Sequence, residues 1–117
     1  MKILLVDDEQ ELVSTLAERL EIRGIDAHWF TNASKALQSA ESVSYDLAVL
    51  DVKMPVVSGL ELRDLLQKRY PNMKFIFLTG HGSEEDYKQG TVDGASYLVK
   101  PISIGILIAK MDEVLNG

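Results

Sequence analysis

Five short apolar runs, spaced by stretches of helical period, constrain this chain more than any other feature. Ile3-Leu4-Leu5-Val6, Leu47-Ala48-Val49-Leu50, Phe75-Ile76-Phe77-Leu78 and Tyr97-Leu98-Val99 contain no charged residue, and Ala27-His28-Trp29-Phe30 reads as one more strand. Runs this short, without polar alternation, suit strands covered on both faces, as in parallel sheets. Between them lie helical patterns. Leu12, Val13, Leu16 and Leu20 mark a helix from about Glu9 to Arg23, stopped by Gly24. Asn32 is a candidate N-cap for a helix from Ala33 to Glu41, and Leu60, Leu62, Leu65 and Leu66 mark another that ends before Pro71. Ser83, with Glu84 to Asp86 behind it, opens a fourth. From Ser103 to Leu115, the residues Ile104, Leu107, Ile108, Met111, Val114 and Leu115 form one stripe, with Ile106 off it.

Strand and helix in strict alternation predict an α/β fold, a doubly wound (βα)5 domain with helices on both faces of a parallel five-stranded sheet. A length of 117 residues suits one domain, expected over residues 1–117. Cys is absent, which removes disulfides and thiolate metal sites. The N-terminus carries no secretory pattern and no run approaches a membrane span, so a soluble, cytoplasmic protein without membrane contact is expected. A formal charge of −6 argues against nucleic-acid binding by this domain.

The polar residues that end the runs share one edge. Asp7 and Asp8 follow the first strand, Asp51 the third, Thr79 the fourth and Lys100 the fifth, while the second ends in uncharged Phe30-Thr31-Asn32. Sites in open parallel sheets form outside the carboxyl ends of the strands, where the order reverses. The order 2-1-3-4-5 sets the first strand beside the third and accounts for this distribution. Asp7, Asp8 and Asp51 are then crowded, should raise one another's pKa, and are relieved by a divalent cation. Carboxylates without His or Cys suit Mg²⁺, with Mn²⁺ as a substitute. A carboxylate beside such a cation can accept a phosphoryl group, with Lys100 and the Thr79 hydroxyl on its oxygens.

Taken together, Ile3-Leu4-Leu5-Val6-Asp7-Asp8-Glu9, Asp46-Leu47-Ala48-Val49-Leu50-Asp51-Val52-Lys53-Met54-Pro55 with Ser58-Gly59, Leu78-Thr79-Gly80 and Gly94-Ala95-Ser96-Tyr97-Leu98-Val99-Lys100-Pro101 resemble the receiver domain of bacterial response regulators. The resemblance spans essentially the whole chain. It implies a flavodoxin-like fold and phosphoryl transfer from a phosphohistidine of a sensor histidine kinase or phosphotransfer protein. It also implies that Asp51 is the phosphoacceptor, that Asp8 binds Mg²⁺ directly, that Asp7 does so through water, and that the backbone carbonyl of Lys53 completes the ligand set. Thr79 and Lys100 would contact the phosphoryl group, Tyr97 would swing inward with Thr79, and Lys100-Pro101 would be a cis peptide. Lys53 and His81 fall where the family tunes phosphoryl lifetime. The face of the fourth helix, fifth strand and fifth helix would change partner affinity and could form a homodimer.

Other functions fit less well. An Asp-nucleophile phosphohydrolase would place an acid where Lys53 stands and would need a cap insertion. A flavin carrier would not tolerate Asp7-Asp8-Glu9 in its phosphate loop. A receiver-like scaffold would not need the complete acid, Thr and Lys set. His28, taken to have no acid or Cys companion nearby in sequence, is read as structural, Trp29 as core or edge packing, Met54 as loop packing, and Gly59 as a turn residue.

Overall fold

The computed structural model describes residues 1–80 and 96–116. In order these form β1 (Lys2–Val6), α1 (Gln10–Ile22), β2 (Asp26–Phe30), α2 (Ala33–Ala40), β3 (Leu47–Asp51), α3 (Gly59–Arg69), β4 (Lys74–Thr79), β5 (Ser96–Val99) and α4 (Ile104–Asn116). The helix expected after Ser83, His81 and the Gly94-Ala95 pair lie outside the described residues, so α4 here is the C-terminal helix.

All four strand pairings are parallel and the sheet order is β2-β1-β3-β4-β5. The strands β1 and β3 are buried along nearly their whole length, which explains why their sequences carry no alternation. Two apolar clusters flank the sheet. Ile3, Leu5, Val49, Ile76 and Leu98 meet Val13, Leu16 and Leu20 of α1 and Leu107 and Met111 of α4 on one face. Leu4, Leu50 and Phe77 meet Ala36 of α2 and Leu62 and Leu66 of α3 on the other. Each fully buried leucine of this kind contributes about 1.5–3 kcal/mol. The expected α4 stripe packs inward, and Ile106 stands off it at 56% exposure.

Local signals set the helix starts. Asn32 accepts a hydrogen bond from the Lys35 N–H at 2.9 Å, and Ser58 with Glu61 closes a reciprocal capping box on α3. Gly24, at φ 79°, turns the chain out of α1 as only glycine does without strain.

His28 corrects the sequence expectation. Its acid companion is Asp26, two residues earlier, at 3.0 Å from Nε2. Alternation along β2 puts both side chains on one face. His28 Nδ1 lies 3.1 Å from the Tyr45 hydroxyl, which lies 2.6 Å from Ser39 Oγ. This chain ties the edge strand to α2 and to the turn before β3, so the structural role holds but with a partner. Trp29 packs at the sheet edge, 38% exposed.

Candidate functional site

The strand register builds the site. Val6 is level with Leu50, Leu50 with Phe77, and Phe77 with Tyr97. One residue further, Asp7 and Asp51 emerge side by side from the two central strands. They are 1% and 5% exposed, while Thr79 is buried at the end of β4. Carboxylate oxygens of Asp7, Asp8 and Asp51 all lie within 4.8 Å of one another. The reversal of strand order between β1 and β3 thus brings together acids 44 residues apart, as the sequence pattern requires.

Lys100 completes the cluster. Its backbone N–H donates to the Thr79 carbonyl at 2.7 Å, which holds it against the end of β4. Its ammonium Nζ reaches Asp7 Oδ2 at 2.8 Å, Glu9 Oε1 at 2.8 Å and Asp51 Oδ1 at 3.4 Å. The Lys100-Pro101 peptide is cis, as the resemblance implies. Glu9 was not singled out from the sequence. Its only signal there is its place directly after Asp7-Asp8, since its partner lies 91 residues away.

Burial governs the titration of this group more than the mutual repulsion expected from the sequence. Asp51 is pushed up to about 7, first by burial, then by the charge of Asp7, against the pull of Lys100. Burial also raises Asp7, opposed by Lys100 and by the Glu9 N–H, which donates to Asp7 Oδ1 at 2.9 Å. For Lys100, burial acts downward but is outweighed by hydrogen bonds to Asp7 and Glu9 and by the charges of Asp7 and Asp51, so its pKa rises. An ammonium this well paired stays charged across physiological pH.

Gly59 also differs from its expectation. It has no positive φ. A Cβ placed there would collide with the carbonyl oxygen of Asp51. The Gly59 N–H donates to the Val52 carbonyl at 2.9 Å, so the first turn of α3 packs directly against the backbone of Asp51 and Val52. Lack of space, rather than turning, requires glycine. A Cβ at Gly80, by contrast, would meet no heavy atom of the described residues within 4 Å.

Tyr97 lies inward, 8% exposed, stacked on Phe77 with ring centroids 5.1 Å apart. Lys53 is exposed beside the site in the loop after β3. Met54 packs partly buried against the α3-side cluster.

The sequence model of the response regulator receiver domain matches residues 3–112. The chain belongs to the response regulator receiver family. It is a signalling domain of the two-component type. It is 38% identical, over 98% of its length, to the transcriptional regulatory protein CpxR of Escherichia coli K12, of which it spans 49%. It is 35% identical over 98% of its length to the alkaline phosphatase synthesis transcriptional regulatory protein PhoP of Bacillus subtilis, of which it spans 48%. The receiver thus spans about half the length of the curated relatives it matches. Among solved structures, a response regulator receiver domain from Clostridium thermocellum superposes with a TM-score of 0.89 at 30% identity, covering 98% of this chain and 94% of that one. A CheY-like receiver from Methanospirillum hungatei gives 0.89 at 32% identity, covering 98% and 93%. Among the described residues, no helix of the receiver is long and apolar enough to cross a membrane.

Proposed function

We propose that this receiver domain, taken as residues 1–117, is a switch driven by phosphorylation of Asp51. The observation that supports this most is the convergence of a buried carboxylate at the end of β3 with two further acids and one ammonium. A carboxylate oxygen of Asp51 attacks the phosphorus of a phosphohistidine on a sensor histidine kinase or phosphotransfer protein. The phosphorus–nitrogen bond breaks, the imidazole leaves with the electron pair and is protonated, and an aspartyl phosphate remains. Lys100 balances charge on the phosphoryl oxygens and the Thr79 hydroxyl donates to another.

Asp7, Asp8 and Asp51 fit a hard divalent cation, since the cluster offers only oxygen donors and one of its acids is nearly fully buried. Asp8 and Asp51 would hold Mg²⁺, with Asp7 acting through water and the Lys53 carbonyl as a further ligand. When bound, the ion neutralises charge between the acids and the phosphoryl group. Mn²⁺ would serve the same oxygen set.

Thr79 and Phe77 share strand parity, and Tyr97 stacks on Phe77. Movement of Thr79 toward the phosphoryl group would therefore reach Tyr97 through one ring. The output face includes β5 and α4, where Val99 and Ile106 are exposed at 58% and 56%. A regulated partner or a second copy would dock there. The acidic balance leaves nucleic-acid contacts to other parts of such proteins, and a cytoplasmic location follows from the kinase partnership. The domain would catalyse only its own phosphorylation and dephosphorylation. Lys53 and His81 would set the rate of the second.

Treatment with acetyl phosphate and Mg²⁺ should add one phosphoryl mass, lost in Asp51→Asn. No Mg²⁺-dependent adduct, or one that survives Asp51→Asn, overturns the proposal. Decay of the same adduct in Lys53→Ala and His81→Ala reads the tuning role, which fails if both match the wild type.

A further inference from the structure

Glu9 occupies the N-cap position of α1 but makes no capping bond with its side chain. Its carboxylate instead turns to Lys100 at 2.8 Å while remaining 63% exposed. Glutamate is a poor side-chain N-cap, so capping does not account for the direction this carboxylate takes. The Lys100 ammonium has two other partners, Asp7 Oδ2 and Asp51 Oδ1, and these belong to carboxylates of the cation cluster. Asp7 Oδ1 is already engaged by the Glu9 N–H. A divalent cation and the ammonium therefore compete for the same carboxylates. Displacing an ammonium that is only 15% exposed is costly unless one anionic partner travels with it.

We infer that Glu9 is the positioning residue that receives Lys100 when a cation enters, keeping the ammonium at the mouth of the site while Asp7 and Asp51 are released. Glu9 touches neither the cation nor the phosphoryl group in this role and acts through Lys100. The inference rests on the proposed cation site, deepening it by naming what makes room for the ion. It also assigns Glu9 a sign. A residue that merely locked Lys100 onto the acids would oppose the cation, whereas a receiving arm favours it.

The test is the affinity for Mg²⁺ alone, by titration calorimetry at about 0.1 M salt, without phosphodonor. Glu9→Gln should weaken Mg²⁺ binding about three- to fivefold, the range expected for a partly exposed ion pair. The loss should persist in a Lys100→Arg background and vanish in Lys100→Met, where no ammonium needs a partner. Glu9→Asp keeps the charge but shortens the arm, so it should weaken binding like Glu9→Gln, and this variant serves if Lys100→Met does not fold. Unchanged or tighter binding in Glu9→Gln, equal weakening with and without the Lys100 ammonium, or wild-type affinity in Glu9→Asp each overturns the inference. Absence of Mg²⁺ binding by the wild type overturns the cation site itself.

Discussion

Asp51 carries the main energetic tension at the residue scale. Burial and the charge of Asp7 raise its pKa from 3.8 to about 7, so the folded chain binds a proton there that the unfolded chain has released. Stability from this group is complete below pH 3.8 and is lost as pH rises through about 7. Asp51→Asn removes that loss, although it also gives up the 3.4 Å pair with Lys100. The variant should be more stable than wild type by about 1–3 kcal/mol at pH 8 without cation, and the gap should narrow toward pH 4. Urea unfolding at the two pH values checks this, and an equal gap at both removes burial of Asp51 as its cause. The acids and Lys100 were legible in the sequence because each directly follows an apolar run. Glu9 and Gly59 were not, because their roles depend on contacts across the fold: an ammonium 91 residues away and the Asp51 carbonyl.

Elements are joined by polar contacts that periodicity does not reveal. The hydrogen-bond chain from Asp26 through His28 and Tyr45 to Ser39 fastens the edge strand β2 to α2. Tyr45 is 6% exposed and its pKa is raised, first by burial. Tyr45→Phe leaves both His28 Nδ1 and Ser39 Oγ without this partner, so it should cost about 1–2 kcal/mol. A thermal melt of the variant measures it, and faster amide exchange along β2 should accompany the loss. The described helices and strands were readable to within about a residue at their ends, since apolar spacing and caps such as Asn32 act locally. Partners drawn from two separate elements, as around Tyr45, leave no local pattern to read.

The whole molecule is poised against its own charge. Three of the chain's 18 acidic residues crowd one end of the sheet, and one ammonium offsets only part of their charge. A ligand that binds only the folded chain raises its stability by mass action. Mg²⁺ at about ten times its dissociation constant should therefore add about 1.4 kcal/mol and raise the melting temperature. The gain should grow as pH rises through about 7, because protons and cation share Asp51, and should shrink in Asp51→Asn. A melting temperature indifferent to Mg²⁺ in the wild type contradicts the acid pocket as a cation site. Sheet order was legible at this scale because a charged or hydroxyl side chain of the site ends or follows every strand but the second.

The parity of the strands has a geometric outcome. Asp7 and Asp51 follow Leu5 and Val49 on the α1 and α4 side, whereas Phe77 and Tyr97 lie on the α2 and α3 side. The two central acids and the aromatic pair are thus set on opposite faces of one sheet, with Thr79 on the aromatic side. A change at Asp51 would therefore reach the aromatic pair across the sheet, by way of Thr79, which shares the strand parity of Phe77.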